Sequence, residues 1–341
     1  MPAPSTEPLT SELILVNLGT PSAPTPAGVR AFLAEFLNDP MVVDKPRWLW
    51  LPILHGIILR RRPQPIAKAY AEIWGPGGSP LAAGTAALSA AVAQAAGPTV
   101  RVTHAFRYGS PNLAERLAES LAAHPNSGHP IRVVSLFPQR TASSSETVRV
   151  LAAKLAKRLG LAARLEVLDL DPVAPGYITA LAEGIEDTKA TLPVEPAPHL
   201  VGSFHGIPKY VNDKEGERYS DDCRATFKAL LAHLEWPRAR ATLAFQSRFG
   251  RDPWIGPATD AVLVELAKSG QTAVLVATPG FLTAGLETIE ELGIRGRADF
   301  LGAGGQHFVL APCPVAHDPV APRPHRGLVA ALAELARDIT R

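Results

Sequence analysis

The sequence predicts an α/β protein with two lobes, each built on a four-stranded parallel sheet flanked by helices. Its 341 residues exceed the length that one hydrophobic core usually holds, which favours two lobes. Short apolar runs alternate with helical patterns through most of the chain, as in parallel βαβ units. The apolar runs fall into two sets of about four, one in each half of the chain.

Four apolar runs predict the strands of the first lobe. Each run is unbroken rather than alternating, which is typical of strands covered on both faces. Helical patterns such as NLAERLAESLAAH and SETVRVLAAKLAKRLG separate them, with apolar residues three and four apart. The runs are LILVNLG (13–19), VRVTHAF (100–106), IRVVSLF (131–137) and RLEVLDL (164–170).

A second set of apolar runs predicts the sheet of the second lobe. The helical pattern ATDAVLVELAKSG lies within this half of the chain and is closed by a glycine. The right-handed connections of such units place successive helices on the faces of the sheet. The runs are HLVGSF (199–204), RATLAFQ (240–246), TAVLVA (272–277) and HFVLA (307–311).

The boundary between the lobes is predicted from proline content. The segment DPVAPGY (171–177) carries two prolines and lies between the two sets of strands. We therefore expect a Rossmann-like first lobe over residues 11–170 and a Rossmann-like second lobe over residues 171–323. Residues 1–10 are proline-rich and polar and are predicted to be a disordered terminus. The final helix, within residues 324–341, is expected to pack back on the first lobe.

Composition excludes several classes of function. Hydrophobic residues make up 46% of the chain, charged residues 19%, and the net charge is only +2, so nucleic-acid binding is not expected. Glycine-rich nucleotide signatures do not follow the first strand, which continues into NLGTPSAPTP. The opening MPAPSTEPLT lacks the features of a secretory signal, so a cytoplasmic protein is expected. Two cysteines, Cys223 and Cys313, fit a reducing compartment and exclude an iron–sulfur cluster held by four cysteines of one chain.

The most apolar window of the sequence, WLWLPILHGIIL, predicts a surface element. Pro52, His55 and Gly56 interrupt it, and it is much shorter than the roughly 20 residues that a membrane-spanning helix needs. Three arginines follow it directly, and an apolar element followed by cations suits a membrane surface. Residues 48–62 are therefore expected to make peripheral contact with a membrane without crossing it.

One imidazole stands out among the residues that follow the predicted strands. Ligands of open parallel sheets bind beyond the carboxyl ends of the strands, and His205 in GSFHGIP stands at such an end. A structural role, with the ring hydrogen-bonded to a neighbouring carbonyl, explains the position equally well. The segment GLETIEELGIR supplies a candidate partner, because it predicts a helix with Glu287 in its first turn and Glu291 four residues later. The helix dipole alone also favours acidic residues in a first turn.

An imidazole that faces a carboxylate is suited to two tasks. It can accept protons, and it can transiently hold a divalent cation of intermediate softness. A site with one histidine and one or two carboxylates holds a metal weakly and incompletely. Such a site is suited to delivering a metal, whereas a structural metal site is closed and four-coordinate.

Taken together, the motifs of the chain resemble those of the ferrochelatase family, bacterial type, whose members insert ferrous iron into a porphyrin. The resemblance spans residues 13 to about 313 and implies a chelatase-like fold, with a porphyrin cleft between two Rossmann-like lobes. Its specificity lies in the number and order of the motifs. They are LILVNLGTP, FLAEFLNDPMVVD, IWGPGGSPL, FRYGSPNL, LFPQRTASSS, SFHGIPKY, FQSRFGRDPWIGPATD, PGF with LETIEEL, and FLGAGGQHF.

The resemblance also implies roles for individual residues. His205 matches the catalytic histidine and Glu287 the carboxylate that faces it, and the metal is expected to meet His205, Glu287 and Glu291. From the residues alone, Trp254 is better explained as a core residue, and Arg60 to Arg62 as the solvated basic end of an apolar helix. The positions that match the porphyrin pocket or its mouth are Leu18, Arg61, Tyr70, Ser79, Arg107, Tyr108 and Trp254.

Two positions bear on the choice of porphyrin and on the environment of His205 and Glu287. Leu18 stands where coproporphyrin-using relatives carry a tyrosine, which favours protoporphyrin IX as the substrate. Ala284 and Gly285 stand where relatives commonly carry an acidic residue that would tune the site. The candidates to take its place are Glu290, Glu291 and Asp221.

The implied reaction is the insertion of Fe²⁺ into protoporphyrin IX to form protohaem, the last step of haem biosynthesis. No cofactor beyond the substrate iron is expected, and the oligomeric state is left open. One alternative is a cobalt or nickel chelatase for a sirohydrochlorin-type ring. The other is a porphyrin or haem carrier without catalysis.

Overall fold

The computed structural model describes residues 9–124, 128–192, 197–250 and 252–337. Most of the predicted disordered terminus, residues 1–8, and the last four residues of the predicted final helix lie outside these ranges. The first lobe is built on a parallel sheet with the strand order β2-β1-β3-β4. Its strands are β1 (Ser11–Gly19), β2 (Val100–Tyr108), β3 (Ile131–Ser135) and β4 (Leu165–Leu168).

Helices cover both faces of this sheet, and several begin where the sequence supplies a cap. Thr25, Ser79 and Asn112 each accept a hydrogen bond from a backbone N–H of the first turn, which satisfies a donor that the helix leaves free. One π-helical turn, Leu54–Ile58, joins two α-helices, and another, Ala142–Glu146, leads directly into a third. The helices are α1 (Pro26–Phe36), α2 (Arg47–Ile53), α3 (Leu59–Arg61), α4 (Pro63–Ile73), α5 (Pro80–Ala96), α6 (Leu113–Ala123) and α7 (Thr147–Leu159).

The second lobe repeats the architecture with the strand order β6-β5-β7-β8, again all parallel. Its strands are β5 (His199–His205), β6 (Ala241–Gln246), β7 (Ala273–Ala277) and β8 (His307–Leu310), followed by a short antiparallel pair, β9 (Val315–Ala316) and β10 (Arg323–Pro324). Its helices are α8 (Pro175–Lys189), α9 (Lys209–Lys214), α10 (Arg218–His233), α11 (Thr259–Lys268), the 3₁₀ turn Arg238–Arg240, the π-helix Glu287–Gly296 and α12 (Arg297–Gly302). The predicted fold class is confirmed: each of the eight predicted runs overlaps a strand of one of the two sheets.

The central strands β1, β3, β5 and β7 are buried on both faces, as their unbroken runs predicted, whereas the edge strands β4 and β8 are mostly half-buried. Leu13 and Leu15 of β1 belong to a core cluster that continues into the second lobe through residues such as Phe204 and Leu275. The opposite face of β1, with Ile14, packs in a separate cluster under α6 and α7. The two lobes therefore share one continuous core and each keep a further core of their own.

The last described helix, α13 (Arg326–Arg337), packs against α5 and α8. Ser11 Oγ at the start of β1 donates a hydrogen bond of 2.6 Å to the carbonyl of Ala336. The guanidinium of Arg132 donates to the same carbonyl at 3.3 Å. These contacts tie the end of the described chain to the first sheet.

The apolar window of the sequence forms α2, the π-helical turn after it and α3. Trp50, Leu54 and Leu59 are buried against α1 and α4, whereas Trp48 leaves 79% of its surface exposed. Among the described residues no helix is both long enough and apolar enough to cross a membrane.

Candidate active site

A cavity of about 260 Å³ lies between the lobes, at the carboxyl ends of the strands of both sheets. Ligand sites of parallel α/β proteins form at this edge, because the loops that follow the strands meet there. The first lobe contributes the end of β1, the loop after β3, and parts of α1, α4 and α5. The second lobe contributes the end of β5, the loop after β7 and the start of the π-helix.

His205 is the last residue of β5 and lines this cavity. Its Nδ1 lies 2.6 Å from the carbonyl oxygen of Gly206. Because a carbonyl can only accept, Nδ1 carries the proton, and the neutral ring keeps its lone pair on Nε2. The hydroxyl of Tyr219 donates to the carbonyl of His205 at 2.6 Å and fixes the backbone at this point. Nε2 is therefore the atom that can accept a proton or bind a cation.

Glu287 is the first residue of the π-helix and lines the same cavity. Burial raises the pKa of Glu287 above its ordinary value; the electrostatic influence of His205 opposes this rise, and Glu291 and Glu290 add to it. A carboxyl group whose pKa is raised exchanges protons more readily near neutral pH. The structure thus brings together the two residues that the sequence singled out for proton and metal chemistry.

Glu291 has a different environment from the one expected of a metal ligand. Its Oε1 accepts the backbone N–H of Ser247 at 2.7 Å, and its Oε2 accepts the hydroxyl of the same residue at 2.6 Å. Both carboxylate oxygens are engaged in holding Ser247, whose φ is +65°. Across the described ranges no three His, Cys, Asp or Glu side chains form a group that could hold a metal. Among the described residues that line the cavity, His205 and Glu287 are the ones with side chains of these four types.

Relatives commonly carry an acidic residue where this chain has Ala284 and Gly285, and the residues proposed to take its place have other partners in the structure. Glu290 pairs with Arg295 through both oxygens, at 2.7 and 3.0 Å. Asp221 pairs with Arg224 on the exposed side of α10. Gly285 has a steric consequence instead, because a Cβ at this position would lie 3.1 Å from Glu287 Oε2. The absence of a side chain at Gly285 therefore leaves the carboxylate of Glu287 room to sit in the cavity.

Three further predicted residues, Leu18, Tyr70 and Ser79, line the cavity. Leu18 follows Asn17, whose side chain donates to Thr85 and Thr283 and so links the two lobes at the cavity floor. Burial raises the pKa of Tyr70, and the nearby Glu287 adds to this rise. The hydroxyl of Ser79 accepts the backbone N–H of Ala82 at 3.1 Å, so this serine also begins α5.

Arg107 and Tyr108 do not line the cavity; they hold Asp39. Tyr108 is buried, and its hydroxyl donates to Asp39 Oδ2 at 2.9 Å. The guanidinium of Arg107 pairs with the same oxygen and also donates to Thr147 Oγ1 at 2.8 Å. Burial opposes ionisation of Asp39, but the hydrogen bonds from Met41, Thr147 and Tyr108 and the charge of Arg107 outweigh it and lower its pKa.

Arg61 and Trp254 also lie outside the lining of the cavity. Arg61 is an exposed residue at the end of α3. Trp254 packs beside Gly206, where a Cβ would lie 3.0 Å from its indole ring, and its backbone pairs with Pro208. Trp254 therefore supports the segment that follows His205 from behind.

Several polar residues of the cavity were not singled out from the sequence. The loop after β3 and the π-helical turn that follows it bring hydroxyl and amide groups to one wall: Gln139, Thr141, Ser143 and Ser144. Their motif, LFPQRTASSS, carries no charge pattern that marks it as a site. Its position directly after a predicted strand was the available signal.

The fold and the site define a class of protein: a two-lobed α/β protein whose interlobe cavity is lined by an imidazole and a carboxylate. A model of the ferrochelatase family matches residues 11–322, and the chain belongs to that family. It is therefore an enzyme of haem biosynthesis that inserts iron into a porphyrin.

Relatives of known name support this membership. The chain is 43% identical to a ferrochelatase from Aromatoleum aromaticum over 88% of its length and 82% of the relative's. It is 40% identical to a protein from Symbiobacterium thermophilum named coproporphyrin III ferrochelatase, over 88% of its length and 92% of the relative's. The solved structure of SirB from Bacillus subtilis with Fe³⁺ matches 96% of both chains with a TM-score of 0.51 at 14% identity, which supports the fold alone.

Proposed function

We propose that this enzyme inserts ferrous iron into protoporphyrin IX, forming protohaem (haem b) with release of two protons. The observation that carries the proposal is the placement of His205 and Glu287 in one cavity that is otherwise lined by apolar and uncharged polar residues. No lysine or arginine is among the described residues that line it. Such a lining suits a flat apolar ring whose carboxylates point outward, toward the arginines that follow the apolar window of residues 48–59.

The identity of the porphyrin rests on Leu18. Leucine adds an apolar surface at the carboxyl end of β1, inside the cavity. A vinyl-bearing ring such as protoporphyrin IX places apolar groups against this side chain and leaves no polar group there without a partner. A ring with additional propionates would bury carboxylate oxygens without a donor there, which costs free energy. The relative from Symbiobacterium thermophilum is named for coproporphyrin III, so this preference is a point to measure.

The proposed mechanism assigns a proton to each of two groups. The ring must lose two pyrrole protons when a divalent cation enters it. Nε2 of His205 accepts a pyrrole proton, because Nδ1 is already committed to the carbonyl of Gly206. Glu287 carries the second pyrrole proton away, a task that its raised pKa suits, and its carboxylate guides the cation before that proton arrives. Contacts with the ring periphery hold the porphyrin in a bent form in which the nitrogen lone pairs project toward this pair.

A histidine pair provides the test. His205→Ala is expected to lower the turnover of iron insertion by about 10²–10⁴-fold while porphyrin affinity stays within about threefold. His199→Ala is the matched control, because His199 lies at the opposite end of the same strand and contacts Thr242 at 2.9 Å. Insertion is followed anaerobically through the haem absorption spectrum. Near-normal turnover of His205→Ala would refute the assignment.

The same assay separates the alternatives. Fe²⁺, Co²⁺ and Ni²⁺ are offered with protoporphyrin IX, coproporphyrin III and a sirohydrochlorin-type ring. Faster insertion of cobalt or nickel into the last ring contradicts the proposal. Porphyrin binding without insertion of any metal indicates a carrier and contradicts it as well.

We also propose peripheral contact with a membrane through residues 48–62 and no cofactor beyond the substrate iron. Trp48, Leu49 and Ile57 are 79%, 44% and 52% exposed, and Arg60 and Arg61 lie beside them. Exposed aromatic and aliphatic groups beside cations suit an anionic lipid surface. Cosedimentation with anionic vesicles should weaken on Trp48→Ser and with added salt; unchanged binding contradicts this contact. The protein is then cytoplasmic and works at the inner face of the membrane.

A further inference from the structure

The end of strand β6 contacts both members of the His205–Glu287 pair. Gln246, its last residue, stands opposite His205 in the parallel ladder, and its carbonyl accepts the N–H of Gly206 at 2.8 Å. Its side-chain amide donates to the carbonyl of Glu287 at 2.9 Å. One buried residue thus connects the backbone beside the imidazole to the backbone that carries the carboxylate.

The orientation of the Gln246 side chain is fixed by a chain of buried hydroxyls. Ser203 Oγ donates to Gln246 Oε1 at 2.6 Å and accepts from Thr259 Oγ1 at 2.8 Å. Ser203 and Thr259 are almost fully buried, so water does not compete with these hydrogen bonds. With the amide oxygen engaged by Ser203, the amide nitrogen faces the carbonyl of Glu287.

The next residue makes a second connection one turn further along the π-helix. Ser247 donates its N–H and its hydroxyl to the two oxygens of Glu291. A π-helix closes its hydrogen bonds from i to i+5, so side chains point in different directions from those of an α-helix. A helix held at residues 287 and 291 cannot rotate about its axis without breaking one of the two connections.

We propose that Gln246 and Ser247 are positioning residues that fix the π-helix so that Glu287 faces His205 during metal insertion. The proposal rests on the proposed function, since it assigns the pair a shared reaction. Gln246 acts through the backbone of Glu287, and Ser247 acts through Glu291. Glu291 is then a structural partner of the site.

The principal test compares two glutamines of the same lobe. Gln246→Met keeps the length of the side chain and removes its hydrogen bonds. Gln271→Met is the matched control. Gln271 also donates to backbone carbonyls, of Ala273 at 2.9 Å and of Ala197 at 3.3 Å, but it precedes β7 and so lies at the amino ends of the strands, away from the cavity. Turnover, KM for porphyrin and thermal unfolding are measured for both variants.

We expect Gln246→Met to lower kcat by about 10–100-fold, because small misplacements of reacting groups have effects of this size. KM for porphyrin should stay within about threefold, and amide hydrogen exchange of residues 287–296 should accelerate. Gln271→Met should leave kcat and exchange of that helix unchanged. An equal loss of kcat in both variants, or a Gln246→Met enzyme within twofold of wild type, overturns the proposal.

A second variant keeps the test decisive if Gln246→Met does not fold. Ser247→Gly removes the hydroxyl that binds Glu291 and suits the positive φ of this position. It should lower kcat by about 3–10-fold at unchanged KM, and an unchanged kcat counts against the proposal. The proposed function is judged separately, from wild type and His205→Ala. If wild type inserts no metal, both proposals fail; if it does and the Gln246 and Ser247 variants behave like wild type, only this inference fails.

Discussion

The two walls of the interlobe cavity differ in chemistry although the two lobes share an architecture. The wall from the first lobe is formed by apolar rings and hydroxyls, among them Phe32, Phe36 and Tyr70. The wall from the second lobe carries both strongly ionisable groups, His205 and Glu287. A shared fold therefore does not mean a shared role. On the proposed function, the wall from the first lobe (the shape wall) holds the ring, and the wall from the second lobe (the chemical wall) supplies the groups that exchange protons.

The same contrast holds for two carboxyl groups near the cleft. Asp39 of the first lobe accepts hydrogen bonds from Thr147 and Tyr108 and pairs with Arg107, and its pKa is lowered. Glu287 of the second lobe is desolvated without a comparable set of donors, and its pKa is raised. Asp39 is held in its ionised form by these donors and organises its loop. Glu287 is suited to change its protonation state.

The largest effect is expected on the chemical wall. Glu287→Gln keeps the size of the side chain and removes its charge, so kcat for metal insertion should fall by about 100-fold or more. Porphyrin affinity, measured by fluorescence quenching, should change by less than about threefold. Glu290→Gln is the control, because Glu290 pairs with Arg295 away from the cavity. If the two variants lose activity equally, the division between the walls is wrong.

A smaller effect is expected on the shape wall. Leu18→Tyr places a hydroxyl donor where the cavity is apolar, so the ratio of kcat/KM for coproporphyrin III over protoporphyrin IX should rise by about tenfold. The turnover of the preferred ring should remain close to that of wild type. A loss of turnover for both rings with no change in their ratio would mean that Leu18 serves the chemistry rather than the selection of the ring.

The outcome of these assignments shows how far sequence reasoning reaches. The strand ends were predictable, because buried parallel strands leave unbroken apolar runs, and His205 follows from that placement. The environments of Glu291 and Arg107 were not, because their partners Ser247 and Asp39 are distant in sequence and meet them only in the folded chain. The π-helix was also invisible, since its residues repeat apolar positions much as an α-helix does.

The two carboxyl groups should respond to pH in opposite directions. The pKa of folded Glu287 lies above its ordinary value of 4.5, so the folded state binds more protons in the window above pH 4.5, and stability falls as pH rises through it. The pKa of folded Asp39 lies below its ordinary value of 3.8, so its contribution to stability is complete above that value and is lost as pH falls through the folded pKa.

Urea unfolding of two variants between about pH 3 and pH 8 checks this expectation. Glu287→Gln should gain stability relative to wild type as pH rises from about 4.5, and Asp39→Asn should lose less stability than wild type at the acid end. If the stability of both variants relative to wild type changed in the same direction with pH, the two carboxyl groups would share one environment.

The smallest effect is expected at Gly285. A substitution there tests the position of the Glu287 carboxylate while leaving its charge unchanged. A Cβ at this position lies 3.1 Å from Glu287 Oε2, closer than ordinary van der Waals contact, so Gly285→Ala should displace the carboxylate slightly. We expect kcat to fall by about two- to fivefold with unchanged porphyrin affinity, since the charge remains and only its position shifts. Gly302→Ala is the control, because a Cβ there meets no atom within 4 Å. Full activity of Gly285→Ala would mean that the reaction tolerates movement of Glu287, and the chemical wall would then depend on charge more than on position.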